Sequence, residues 1–243
     1  MSFDATSLFS LTCASSKEAL KRGFEVDDIE NHVVSYRILP QDEVSIVIPS
    51  DHGVKLVRAT WGISIKGEPT VHRIGAKQAL SKRPFSILIR KSRCMVPVNC
   101  LVYTRSNHSP TLLRVLGQRI VGLGGLYTEA KSLSGIKYET CLFETTAPDI
   151  LTSITKTLPT IFAPEKGLKW ITPSTLEEVF YRSERTNGYW FDYFSIAPDF
   201  VDLDNPRANS LSPEGISMYE QKRRTEKLRE IEIEKTRQNR SGK

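Results

Sequence analysis

The sequence predicts an α+β fold: a mainly antiparallel, barrel-like sheet with flanking helices, followed by a charged C-terminal helix. Three observations carry this expectation. Apolar residues gather in short runs rich in Val, Ile and Leu, too brief for core helices, so they read as strands. Polar connectors bearing Gly, Pro or Asp separate these runs at regular intervals, the rhythm of an antiparallel sheet that closes or folds over itself. From Ser217 to Arg240 there is neither Gly nor Pro, and Glu, Lys, Arg and Gln, all good helix formers, dominate. The division expected is a domain over residues 1–212 and a charged, helical tail over 213–243.

Lys17 to Arg22 reads as a short helix capped by Ser15 or Ser16 and stopped by Gly23. Val33-Val34 and Val44 to Ile48 read as strands with a turn at Pro40-Gln41-Asp42 between them. Asp51-His52-Gly53 turns into another strand, Val54 to Gly62, which ends on a Trp-Gly pair. The stretch the chain is expected to pack around runs from Ser86 to Arg105: two apolar runs either side of Arg90, Lys91 and Arg93, each read as a buried strand. Strand alternation would put Lys91 and Arg93 on one face and Arg90 on the other. Pro97 has no N–H and calls for a bulge or an edge. Three more strands follow: Thr111 to Leu116, Ile120 to Tyr127 and Tyr138 to Thr145. Pro148-Asp149 opens a helix through Ile154, Ser174 with Glu177 makes a capping box for Leu176 to Arg182, and Tyr189 to Ile196 is a last strand. Trp61, Met95, Val96 and Leu142 are expected in the core.

Composition narrows the function classes. With 243 residues, 39% of them hydrophobic, the chain can bury a sizeable core. No run approaches the roughly 20 apolar residues that cross a bilayer, and Met1 to Leu11 lacks the pattern of a secretory signal. The expectation is an intracellular protein, nuclear rather than cytoplasmic, with no membrane partner. Cys13, Cys94, Cys100 and Cys141 lack CxxC spacing, which suits reduced thiols better than a disulfide frame or a zinc site. No metal and no cofactor are expected. The net charge is +6, and residues 218–243 hold nine Lys or Arg against five Glu, which leaves the body nearly neutral.

No GxGxxG, GxxxxGK[ST], HExxH or GxSxG pattern occurs, so phosphate-loop, metalloprotease and serine-hydrolase chemistry have no motif. His32, His52, His72 and His108 have no partner spacing that nominates one as catalytic, and read as surface or loop residues.

Arg93-Cys94-Met95-Val96-Pro97 resembles the Arg-Cys-x-x-Pro segment of the SRAP (SOS-response-associated peptidase) family, whose members link covalently to abasic sites in single-stranded DNA. Other segments are similar in the same order: Tyr36 to Pro40 to its Tyr-Asn-x-x-Pro, Trp61-Gly62 to its Trp-Gly strand end, and Ile74 to Lys77 to its Ile-Asn-Ala-Arg. Ile154 to Pro159 resembles Ile-His-x-Arg-Met-Pro, and Ala163-Pro164-Glu165 to Trp170-Ile171 its later Pro-Glu and Trp pattern. The resemblance spans roughly residues 1–210.

The departures fall on the chemistry. Where the resemblance implies a nucleophilic cysteine after the initiator Met, this chain has Ser2, followed by Phe3 and Asp4 in place of Gly and Arg. Gly75 stands for the family's Asn, Tyr103 for its Glu and Thr155 for its His, so these are read as vestigial pocket positions. The α-amine of Ser2, freed of Met1, titrates near 8 and could still attack an aldehyde. The proton transfers, however, need a group titrating near neutral pH; tyrosine titrates near 10 and threonine not at all. Asp4 would repel a phosphate where the resemblance implies a cation.

Two readings follow. One is a pseudoenzyme serving as an interaction module in a larger assembly; the other is a DNA-damage-associated protein that binds single-stranded or abasic DNA. The replacements argue against catalysis. Lys77, Arg93, Arg105 and Lys156 are the candidate nucleic-acid contacts. In the tail, Leu228 and Ile231 could dock a protein partner while Lys222, Arg223 and Arg224 meet acidic protein or phosphate; the tail equally reads as a solvated helix.

Overall fold

The computed structural model describes residues 7–13, 15–26, 29, 32, 34–105, 110–118, 120–132, 135–172, 175–184, 191–195, 225 and 229. The chain divides into two units, residues 1–197 and 198–243. In the second, Thr225 and Arg229 are described, both helical and exposed; the expected tail helix and its candidate docking residues otherwise lie outside the described residues.

In the first unit, β1 (Ser7–Cys13) and α1 (Lys17–Phe24) lead into β2 (Ser35–Ile38), β3 (Glu43–Ser50) and β4 (Gly53–Trp61). Then come β5 (Arg73–Gly75), α2 (Ala76–Ser81), α3 (Phe85–Lys91), β6 (Arg93–Val98) and β7 (Cys100–Arg105). They are followed by β8 (Thr111–Val115), β9 (Val121–Ser132), β10 (Gly135–Thr146), a 3-10 turn at Asp149–Leu151, β11 (Thr157–Pro159) and β12 (Ile161–Phe162). Last are α4 (Pro164–Ile171), α5 (Leu176–Glu184) and β13 (Phe191–Ser195).

Strands β10, β4, β3, β6 and β9 pair in that order, and β9 pairs back to β10, which closes a five-stranded barrel. Four pairings are antiparallel; β10 with β4 is parallel, Glu139 opposite Thr60. A second, antiparallel sheet runs β13-β8-β7-β1-β2. The chain changes sheets at Asn99, where β6 ends and β7 begins. Pro97, expected at a bulge or an edge, sits opposite Gly122 one residue before that exit, past the single pair Val47–Met95 with β3.

Along their central stretches the barrel strands bury residues on both faces. Ile46, Val96 and Leu142 pack with Leu11, Leu101 and Leu113 of the second sheet, while Val47, Met95 and Phe143 point the other way, under Phe24, Phe85 and Trp170. Double-sided burial gives near-continuous apolar runs, which is why the strands are legible. Trp61, Met95, Val96 and Leu142 are all buried, as expected. Gly167 brings α4 onto the sheet so closely that a Cβ there would lie 2.0 Å from Met95 Sδ.

Arg93 organises the helices. It is 2% exposed, and its guanidinium donates to the carbonyls of Ile89 (2.9 Å), Arg90 (3.1 Å), Trp170 (2.6 Å) and Thr172. It thereby satisfies the orphan carbonyls at the C-terminal ends of α3 and α4, where a cation also suits the helix dipole.

Several expectations are corrected. Phe85–Lys91 is a helix, not a strand: Phe85, Leu88 and Ile89 are buried while Ile87, Arg90 and Lys91 are exposed, a 3.6-residue period inside a short apolar run. Lys91 and Arg93 therefore share no strand face. Gly23 lies inside α1, which ends on Glu25 in the left-handed conformation (φ 54°); of the two candidate caps, Ser16 is the one used, its Oγ accepting from Ala19 N. Val34 is exposed and outside any strand, and Val33 lies outside the described residues. The helix expected after Pro148 is one 3-10 turn. At α5 it is Thr175 Oγ1 that accepts from Glu178 N; Ser174 lies outside the described residues.

Candidate functional site

The site forms on β10 and its neighbours. In register, Glu144 of β10 lies beside Gly75 of β5 and Pro159 of β11, so the two segments that flank it are those carrying Gly75 and Thr155. Glu144 is 5% exposed. Its Oε1 accepts from Arg73 Nη1 at 3.1 Å and its Oε2 from Thr157 Oγ1 at 3.0 Å. Thr155 Oγ1 donates to the Thr157 carbonyl at 2.7 Å, which ties position 155 into the same network. Tyr103, buried on β7, feels both Glu144 and Arg73 electrostatically. Gly75, Tyr103 and Thr155 thus gather around a buried ion pair.

Trp61 braces the segment that leads into Arg73. Its indole Nε1 donates to the His72 carbonyl at 3.0 Å, and the same carbonyl accepts from Leu142 N at 2.9 Å. Gly62 follows at φ 147°, where a Cβ would lie 2.7 Å from Thr70 and 3.0 Å from the His72 ring. The Trp-Gly strand end is thus a packing requirement of the site.

Electrostatics quieten these groups. Burial raises the proton affinity of Glu144, opposed by Arg73 and Thr157. Burial, reinforced by Glu144, pushes the Tyr103 hydroxyl well above its ordinary range. Burial, then the Arg73 charge, lowers the His72 imidazole, whose Nε2 is buried with no hydrogen-bond partner among the described residues. Both Glu144 oxygens are committed to neighbours in the chain. All four cysteines are buried, and burial pushes Cys13 and Cys94 to about 12 and Cys100 to about 11, so none offers a thiolate at neutral pH. Among the described residues no group of His, Cys, Asp and Glu is arranged to hold a metal.

Of the candidate nucleic-acid contacts, Lys77 and Lys156 are exposed, and they follow Gly75 and Thr155 closely in sequence. Arg93 is a correction: it is buried, with its guanidinium donating to backbone carbonyls of α3 and α4. Arg105 pairs with Ser7 in the second sheet, and its side chain lies outside the described residues, as do Ser2, Phe3 and Asp4. Sequence reasoning missed Arg73 and Glu144. The available signal was parity: Glu144 shares a strand face with the core residue Leu142, and a carboxylate at such a position requires a buried partner.

A family model described as SOS response associated peptidase (SRAP) matches residues 9–188. Among solved structures, the chain is similar to a protein from Bacteroides thetaiotaomicron (TM-score 0.65, 18% identity, covering 82% of this chain and 97% of that one). It is also similar to a protein from Bordetella bronchiseptica (TM-score 0.59, 12% identity, 78% and 99% covered). A phage-related protein from the same organism follows (TM-score 0.56, 13% identity, 81% and 96% covered). Among curated proteins none matches.

Proposed function

We infer the function from the family: the chain belongs to the SOS response associated peptidases, which ties it to DNA damage, and we propose that it is a non-catalytic member, an interaction module that binds without reacting. The observation that carries this reading is the Arg73–Glu144 pair. Where the family resemblance implies Asn, Glu and His, the chain has Gly75, Tyr103 and Thr155, and the carboxylate nearby is locked between Arg73 and Thr157. General acid–base catalysis needs a group that reaches the substrate and titrates near the working pH. Tyr103 is held protonated and Thr155 has no titratable proton. Ser2 replaces the thiol that would close a ring on the sugar aldehyde. In the same reading the tail residues Lys222, Arg223, Arg224, Leu228 and Ile231 dock a protein partner; truncation after Pro213 leaves the domain's melting midpoint unchanged and removes that contact.

The test is intact-mass spectrometry of the full chain, Met1 removed, after incubation with a single-stranded oligonucleotide carrying an abasic site, with and without borohydride. Attack of the Ser2 amine on the sugar aldehyde would expel water and leave an imine, which borohydride reduces to a stable amine. The reading predicts the unmodified protein mass in both samples. An oligonucleotide adduct that disappears when the Ser2 amine is blocked overturns it.

A further inference from the structure

The nearly neutral body conceals a segregation of charge. Residues 69–128 contain no aspartate or glutamate, while their Lys and Arg residues continue throughout. Inward-facing members are spent: Arg73 on Glu144, Arg114 on Asp192 and Arg93 on backbone carbonyls. The exposed ones concentrate on α2, the following turn and α3: Lys77, Lys82, Arg83, Arg90 and Lys91. Lys82 pairs with Glu68; for the other four, no ion pair occurs among the described residues.

These cations stand on a fixed scaffold. Ala79, Phe85, Leu88 and Ile89 are buried, Lys82 N donates to the Gln78 carbonyl (2.9 Å) and Ser86 N to the Lys82 carbonyl (3.0 Å), and Arg93 clasps the end of α3. On α3, Ile87, Arg90 and Lys91 are spaced i, i+3, i+4 and so share the outer face; on α2, Lys77, Leu80 and Ser81 have the same spacing. Leu80 and Ile87 are 46% and 47% exposed, so each helix offers an aliphatic side chain among its charges. Two isolated aliphatics are too few for a membrane-lying helix, but they suit sugars and unstacked bases. The hairpin also starts beside the Arg73–Glu144 pair, since Gly75, the register partner of Glu144, is the N-cap of α2.

We propose that the helical hairpin 76–91 is a contact surface for the phosphate backbone of single-stranded nucleic acid, running from Lys77 at the start of α2 out to Arg90 and Lys91. The proposal rests on reading the chain as a DNA-damage-associated binder and names where that binding occurs. Within the hairpin, Lys77 is the one candidate contact on sequence grounds; the structure adds Lys82, Arg83, Arg90 and Lys91. Each phosphate contact to a single strand contributes about 0.7 to the slope of log affinity against log salt.

The experiment titrates the full chain into a fluorescein-labelled oligothymidylate of about 20 nucleotides, long enough to span a single-strand site, and follows anisotropy at several KCl concentrations. The variant Arg83→Glu, Arg90→Glu, Lys91→Glu should bind at least about tenfold more weakly, with the salt slope reduced by about 2. A charge-matched control, Lys55→Glu, Lys66→Glu, Lys131→Glu, should bind as wild type does, and circular dichroism melts should show all three proteins folded. Equal loss in the control would reduce the effect to net charge and overturn the proposal. So would a wild-type protein that ignores the oligonucleotide, whether or not it binds phosphatidylserine vesicles. This oligonucleotide has no aldehyde, so covalent capture of an abasic strand would sink the non-catalytic reading and leave this proposal standing.

Discussion

The buried ion pair and the helical hairpin meet at Gly75, yet they treat charge in opposite ways. In the pair, Arg73 and Glu144 face each other at 3.1 Å, with side chains 20% and 5% exposed, and Thr157 satisfies the second carboxylate oxygen. On the hairpin, Arg83, Arg90 and Lys91 stand in solvent over an apolar base. A buried pair is costly to break and does little for outsiders, because its members already satisfy each other. Solvated cations cost almost nothing to keep and remain available to a polyanion. The difference separates two neighbouring regions of one domain: the charges around Gly75, Tyr103 and Thr155 are closed in on each other, and those on the hairpin are open to solvent.

The largest effect that could break this comparison is on stability. Arg73→Met leaves Glu144 buried without its cation and should cost about 3 kcal/mol, the lower end for a broken buried pair because Arg73 is partly exposed. The double variant Arg73→Met, Glu144→Leu should recover to within about 1 kcal/mol of wild type, since two apolar side chains can replace such a pair. Urea unfolding measures both; a double variant no better than the single would mean that the pair supports something beyond itself. By contrast, Arg83→Glu with Arg90→Glu and Lys91→Glu should move stability by no more than about 0.5 kcal/mol per substitution while removing the oligonucleotide affinity.

A smaller effect sharpens the comparison through pH. Glu144 holds its proton more tightly in the fold than in the unfolded chain, whose carboxyl titrates near 4.5. Its contribution is therefore fully present below that value and is lost as pH rises through the folded value. Glu144→Gln should lack this fall, so the difference between wild-type and variant stability shifts against wild type as pH rises above about 4.5. His72 works in the other direction: its imidazole is lowered, so its contribution is present above 6.5 and is lost as pH falls. Subtracting the Glu144→Gln curve cancels that background. A flat difference would mean that Glu144 titrates as a solvated carboxylate.

Much of this architecture is legible in the residues, and the exceptions have physical causes. β3, β4, β6, β9 and β10 announce themselves because both of their faces are buried. α3 hides because Phe85 to Ile89 is apolar nearly throughout; its helical period shows only in which members are exposed. Gly75, Tyr103 and Thr155 are found together through the family resemblance, and the fold does gather them. The Arg73–Glu144 pair joins residues 71 apart on strands that meet in a parallel register, and no local pattern encodes such a pairing. Arg93 reads as a nucleic-acid contact from the sequence because its partners are carbonyls, which a sequence does not display.

Binding without a bond is tested most directly by dividing one sample between two gels. The full chain, Met1 removed, is incubated with a labelled single-stranded oligonucleotide carrying an abasic site, then run half on a native gel and half, after heating, on a denaturing gel. The account predicts a shifted band on the native gel, absent for the Arg83→Glu, Arg90→Glu, Lys91→Glu variant, and only free oligonucleotide on the denaturing gel. A heat-stable protein–DNA band on the denaturing gel that disappears when the Ser2 amine is blocked would contradict it.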